Sequence, residues 1–341
     1  MKLLKVKKRI KKGFTNSKKK TKMKNKLNIL KGIVVLIIVA SGFASKAQQD
    51  PMYTQYMFNT QTINPAYTGT WESLSFMVLS RQQWAGLEGA PQTYTFSMQA
   101  PLQNERVALG LNAISDVIGL EKRFYLFGDY SYLLPINEGM KLRLGLKGGF
   151  TNYSNNLSEY RTNTSVSGIV DPSFQGEIDK KFVPNFGVGG FLFGEKYYVG
   201  FSIPKILSQD FENNYNNLSV NADMRHYFLM AGLVFNLGEN VKFKPTMLTK
   251  ATFSSENGAP VELDLSANFL LKEKFWLGAA YRTGDSFGFI AQWIIDKKLR
   301  IGYAYDYATN NLSNFHSGSH EIMISYEMRF LKEMFASPRY F

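Results

Sequence analysis

Along most of the chain apolar and polar residues take turns. In 260–271, Val261, Leu263, Leu265, Ala267, Phe269 and Leu271 interleave with Glu262, Asp264, Ser266 and Asn268. Period two belongs to a strand whose two faces meet different media, and no helical surface reproduces it. The same alternation runs through 92–100, where Tyr94, Phe96 and Met98 face away from Thr93, Thr95, Ser97 and Gln99. It recurs at 140–151, with Leu142, Leu144, Leu146 and Phe150 against Lys141, Arg143, Lys147 and Thr151. Near the end, Ile322, Ile324, Tyr326, Met328 and Phe330 oppose Glu321, Ser325, Glu327 and Arg329.

Segments of this kind predict strands near 73–81, 92–100, 106–115, 122–134, 139–151, 184–193, 196–203, 225–237, 241–250, 260–271, 274–283, 285–295, 298–308 and 319–330. Fourteen strands, charged on one face only, predict an all-β fold: a transmembrane antiparallel β-barrel with apolar residues toward lipid and polar residues toward the lumen. The connections alternate in length. Tight ones fall at 101–105, 135–139, 194–195, 238–240, 271–274 and 296–298. Long ones fall at 82–91, 152–181, 204–224, 252–259 and 309–318, with 115–122 intermediate and 283–285 short out of turn. Outer-membrane barrels pair short periplasmic turns with longer external loops. Both barrel termini are therefore expected on the periplasmic side, and the Asn-, Ser- and Tyr-rich loops 152–181 and 204–224 outside the cell.

The net charge of +13 changes meaning once it is located. Residues 1–47 hold 15 of the 40 Lys and Arg and no acid, so 25 basic and 27 acidic residues remain, a formal −2. That balance argues against nucleic acid as a partner. The lysine-rich stretch precedes an apolar run at 33–40 and the small residues Ser45-Lys46-Ala47, which fits a secretory leader; Met23 would start a leader of ordinary length. The expected organisation is a leader over 1–47, a periplasmic N-terminal segment over 48–72, a barrel over 73–330 and a periplasmic tail over 331–341. The 48–72 segment carries the turn signals Asn64-Pro65 and Tyr67-Thr68-Gly69. Plug, docking arm and mobile leader are all open for it, with packing at or in the barrel mouth favoured. Cysteine is absent, which excludes disulfides, thiolate metal sites and a lipidated Cys.

Catalytic chemistry finds little support. The histidines are His226, His316 and His320; His226 opens a strand at lumen parity without a nucleophile motif, and the other two lie in or beside a loop. His316 and His320 with Glu321 have a helical metal spacing, but on a loop and strand that spacing does not converge. Gly187, Gly189 and Gly190 lack the Lys-Ser/Thr of a phosphate loop and read as relief of crowding in the barrel wall. No catalytic, cofactor-binding or metal residue is assigned, and no cofactor is expected. Lys141, Arg143, Lys147, Lys242, Lys244, Glu262, Asp264, Arg282, Arg300, Asp306, Glu327 and Arg329 are expected to face inward. Charges of both signs in a confined interior must pair, which predicts a narrow or occluded lumen. Phe275, Trp276, Trp293, Tyr303, Tyr305 and Tyr307 are expected to form aromatic girdles at the membrane boundaries.

Specific strings complete the picture: Gln49-Asp-Pro-Met-Tyr-Thr-Gln-Tyr-Met-Phe-Asn59, Ile63-Asn-Pro-Ala-Tyr-Thr-Gly69, Arg81-Gln-Gln-Trp84 and Ala90-Pro-Gln-Thr-Tyr94. Pro184-Asn-Phe-Gly-Val-Gly189, Tyr281-Arg-Thr-Gly284, Tyr303-Ala-Tyr-Asp306 and Ser337-Pro-Arg-Tyr-Phe341 continue the pattern to the C-terminus. In these the chain resembles the PorP/SprF family of type IX secretion membrane proteins of Bacteroidetes. The resemblance implies an outer-membrane barrel without enzymatic activity that works with the secretion apparatus and gliding motility. It further implies partners: a secreted cell-surface adhesin, held through its C-terminal domain, and periplasmic secretion or motility components. It does not separate the PorP-like from the SprF-like branch, and the cationic stretch before Met23 departs from the pattern. The alternative function is a passive outer-membrane channel for small or hydrophobic solutes.

Overall fold

A computed structural model describes residues 51–71, 73–102, 106–155, 178–212, 219–223, 225–252, 261–296 and 298–328. The leader, the tail 331–341, the loop core 156–177, Arg329 and the closing Ser337–Phe341 string lie outside the described residues.

The alternating segments do form strands, in chain order β1 (Leu74–Gln82), β2 (Gln92–Pro101), β3 (Val107–Ile118), β4 (Glu121–Asn137), β5 (Met140–Asn155), β6 (Ile178–Gly194) and β7 (Tyr197–Ile203). They continue as β8 (His226–Leu233, prolonged by Phe235–Asn236), β9 (Val241–Thr252), β10 (Glu262–Leu271), β11 (Phe275–Arg282), β12 (Ser286–Ile294), β13 (Leu299–Ala308) and β14 (Ser319–Met328). Each is antiparallel to its neighbours in the chain. The ring closes where β1 pairs with β14, Leu74 opposite Met328 and Gln82 opposite His320. With β7 joined to β8 and β8 to β9, no edge is left open around the circuit. Closure satisfies the backbone without water, the condition for crossing a bilayer with strands.

Burial follows parity. On β5, Leu144 and Leu146 are exposed while Arg143 and Lys147 are buried; on β10, Leu265 and Phe269 face out and Asp264, Ser266 and Asn268 face in. The outward band of Phe186, Phe201, Leu229, Leu277, Phe289, Ile322 and Ile324 is the surface that lipid covers. Phe275 and Trp293 stack on it with ring centroids 6.1 Å apart.

The two rims differ. At the turn rim every described connection is tight, and Lys272 and Glu273 turn in the left-handed region (φ 50° and 54°), as two-residue hairpin turns require. The loop rim carries the long connections, and within 204–224 a small hairpin pairs Gln209–Glu212 with Ser219–Asp223. Two expected loops shrink. β3 runs to Ile118 and β4 starts at Glu121, so the connection expected over 115–122 is a two-residue turn with Gly119 at φ 58°. β5 and β6 extend the ladder to Asn155 and Ile178, well into 152–181. The loss of apolar alternation there, read as loop, marks strand that has left the lipid. At 17 residues β6 is roughly 55 Å long at the usual rise, about twice the apolar band of a barrel.

Candidate functional site: an occupied lumen

Much of the space between the inward faces is taken up by the chain itself. Residues 51–71 lie inside the ring, nearly all buried, with Gln55 and Asn64 fully inaccessible. The segment has a single α-helical turn, Thr60–Ile63, and a 3-10 turn, Pro65–Tyr67; its backbone groups are satisfied mostly by turn contacts and by the barrel wall.

Thr54 and Gln55 dock on an acidic pair. Their backbone N–H groups donate to the Glu321 carboxylate at 3.0 and 2.9 Å, and the Thr54 hydroxyl donates to Asp306 at 2.5 Å. Arg81 bridges the two acids, 2.8 Å from Asp306 and 3.1 Å from Glu321. Two strands along from Asp306, Arg282 is held by Glu262 at 3.0 Å and Asp264 at 2.8 Å and reaches the Tyr53 carbonyl at 3.4 Å. Deeper in, Lys147 pairs with Asp129 at 3.1 Å, and Asp129 accepts from Gln61 Nε2 at 3.1 Å and from Asn112. Ser131 donates to the Thr68 carbonyl at 2.6 Å and accepts from Arg143 at 3.0 Å. At the turn rim Arg300 pairs with Glu327 and covers the Trp71 ring at 4.9 Å. Arg81, Lys147, Arg282 and Arg300 thus each meet an acid, as expected of a mixed and confined interior.

Apolar packing fills what the charges leave. Tyr56, Met57, Phe58, Tyr67 and Trp71 join Met77, Leu79, Phe191, Met230, Leu248 and Met323 of the wall in one buried cluster. Trp276, expected in a girdle, belongs to this cluster instead: it points inward, 5.8 Å from Phe58 ring to ring. Its parity on β11 places it opposite the exposed Phe275 and Leu277. Lys244 sits fully buried among the rings of Phe58, Tyr198 and Trp276, 5.5 to 5.9 Å from their centroids, a setting in which ring quadrupoles offset lost hydration.

The Asn64-Pro65-Ala66 turn passes so close to the wall that side chains are excluded there. A Cβ on Gly145 would lie 2.2 Å from the Ala66 nitrogen, and one on Gly189 would lie 2.1 Å from Asn64 Oδ1. Asn64 in turn caps the 3-10 turn through Ala66 N–H at 2.9 Å and donates to the Gly190 carbonyl at 3.1 Å. Gly189 thus seats the segment rather than easing the wall alone, while Gly190 faces open space. An open cleft of about 570 Å³, counted with solvent at its mouth, reaches into the barrel as far as Ile63, Asn112 and Lys147 and is bounded also by Pro51, Tyr53 and Lys205.

A family profile described as type IX secretion system membrane protein PorP/SprF matches residues 45–326. The chain belongs to the PorP/SprF family. No curated protein matches it. Among solved structures it is similar to the Acinetobacter baumannii outer membrane protein Omp33 at 10% identity, covering 75% of this chain and 99% of that one with a TM-score of 0.44. It is similar also to the P. putida toluene transporter TodX at 10% identity, 80% and 95% coverage and a TM-score of 0.45. A FadL homologue of Pseudomonas aeruginosa gives 12% identity, 83% and 96% coverage and a TM-score of 0.43.

In this PorP/SprF barrel, a membrane protein of type IX secretion resident in the outer membrane, the histidines occupy separate settings. His226 is buried at the start of β8 beside Phe228, ring centroids 6.1 Å apart. His316 accepts from Gly318 N–H at 2.9 Å, and His320 Nδ1 meets the Tyr303 hydroxyl at 2.7 Å on the outer face. Among the described residues no three His, Asp or Glu converge as a metal site.

Proposed function

We propose that this PorP/SprF barrel is a non-enzymatic, non-conducting docking platform. Its loop rim, outside the cell, retains a secreted adhesin through the adhesin's C-terminal domain, and its turn rim, with both barrel termini, faces periplasmic secretion or motility components. The single observation behind this reading is the segment packed through the lumen, since a barrel largely filled by its own segment offers its rims more than its interior to partners. The contrast between tight turns and long loops supports a division of labour between the two rims.

Deleting 156–177 should release the adhesin into the medium while the barrel still shows heat-modifiable mobility on gels. Unchanged surface retention would count against docking. Purified barrel in a planar bilayer should stay electrically silent; a stable open pore would favour the channel reading.

A further inference from the structure

The N-terminal segment has a direction. Its contacts, followed along the chain, step from one rim of the barrel to the other. Pro51 and Tyr53 line a cleft with Pro204 and Lys205, just beyond β7, and with the mid-barrel residues Asn112 and Lys147. Tyr53 meets Arg282, the loop-side end of β11. Thr54 meets Arg81, next to the loop-side end of β1, and Asp306 and Glu321 at the same level of β13 and β14. Tyr56 then reaches Thr246 at 2.8 Å in the middle of β9, and Gln61 reaches Asp129 in the middle of β4. Gly69 N–H donates to Gln99 at 2.7 Å near the turn-side end of β2. Trp71 ends under Arg300, one residue from the turn-side start of β13, and β1 begins at that rim.

We infer that the chain is threaded through its own barrel, so that Pro51 stands toward the loop-side mouth while Trp71 lies at the turn rim. The loop side of the barrel then carries Pro51 and the cleft that Pro51 and Tyr53 border. A segment that merely tucked into the periplasmic mouth would have Trp71 and Pro51 at the same rim. Instead the polar anchors divide between levels, with the Thr54 clamp near the loop rim and the Trp71–Arg300 contact at the turn rim. The assignment of the loop rim to the cell exterior rests on the proposed function; the placement of Pro51 at the loop rim does not.

The absence of cysteine makes the test direct. Single-cysteine variants Pro51→Cys, Asn314→Cys at the loop rim and Glu239→Cys at the turn rim are treated with a membrane-impermeant maleimide, in intact and in permeabilised cells. Pro51→Cys should follow Asn314→Cys and label on intact cells, with Glu239→Cys labelling only after permeabilisation. If Pro51→Cys follows Glu239→Cys, the threading is overturned. If Asn314→Cys is silent on intact cells and Glu239→Cys labels, the orientation fails, and threading still stands when Pro51→Cys is silent with Asn314→Cys. An epitope placed directly ahead of Pro51 gives an independent readout should the thiol prove too shielded to react in either state. Antibody binding on the side where Asn314→Cys labels supports threading, and binding only on the other side overturns it.

Discussion

Glu321 carries more of the lumen's order than any neighbour, because one buried carboxylate receives two backbone N–H groups of the segment and the Arg81 guanidinium. Glu321→Ala would leave those donors buried without their acceptor, and breaking such a pair from one side costs about 3–5 kcal/mol. Urea unfolding of the folded barrel in micelles should show a loss of that order, with Glu321→Gln, which keeps one of the two acceptor oxygens and loses the charge, losing less. Gly145 tests the close approach instead of the charge. In Gly145→Val the new Cβ would meet the backbone of Pro65 and Ala66 at 2.4 and 2.2 Å, a distance that backbone cannot absorb by small shifts. Hydrogen exchange should therefore report lost protection at Ala66 and Tyr67 with the strand amides still protected. Gly190→Val, pointing into open space, should leave both sets unchanged.

The strands were legible because lipid enforces alternation on the outer face and the polar lumen reinforces it on the inner one. β2, β5 and β10 keep both signals and their boundaries fall within a few residues of expectation. The rule fails where the inner face is apolar. Phe76-Met77-Val78-Leu79, Phe289-Ile290-Ala291 and Ile322-Met323-Ile324 are continuous apolar runs, and Met77, Leu79, Ile290 and Met323 are the members that turn inward to the segment. A strand apolar on both faces is buried on both, so such runs inside an otherwise alternating barrel were the signal for a plug. The segment itself gave none, since it has neither period two nor an amphipathic helix of useful length. The turn between β10 and β11 was legible only as short. Lys272 and Glu273 both hold positive φ, which costs a non-glycine residue roughly 1 kcal/mol. Lys272→Gly should raise stability by about 0.5–1 kcal/mol, read as a later urea midpoint at unchanged slope, and it leaves the Lys242–Glu273 ion pair intact.

At the scale of the whole molecule, fourteen strands ordinarily enclose more space than their own side chains fill, and here the N-terminal segment completes the interior. Its removal is the sharpest test of what the barrel would otherwise be. Without residues 53–71 the wall keeps its buried charges, among the described residues eight basic (Arg81, Arg123, Arg143, Lys147, Lys205, Lys244, Lys250 and Arg282) against seven acidic (Asp116, Glu121, Asp129, Asp264, Asp306, Glu321 and Glu327). Selective pores line themselves with one sign, and this wall does not. The deletion variant, once its folding is established by heat-modifiable mobility, should conduct in a planar bilayer where the intact protein is silent, and in a salt gradient its reversal potential should lie near zero. A silent deletion variant would mean that the wall collapses onto itself without the segment. A strongly selective one would mean that the pairs between Arg81, Asp306 and Glu321 and between Arg282 and Asp264 do not survive its loss, in which case the segment organises the charges it now rests on.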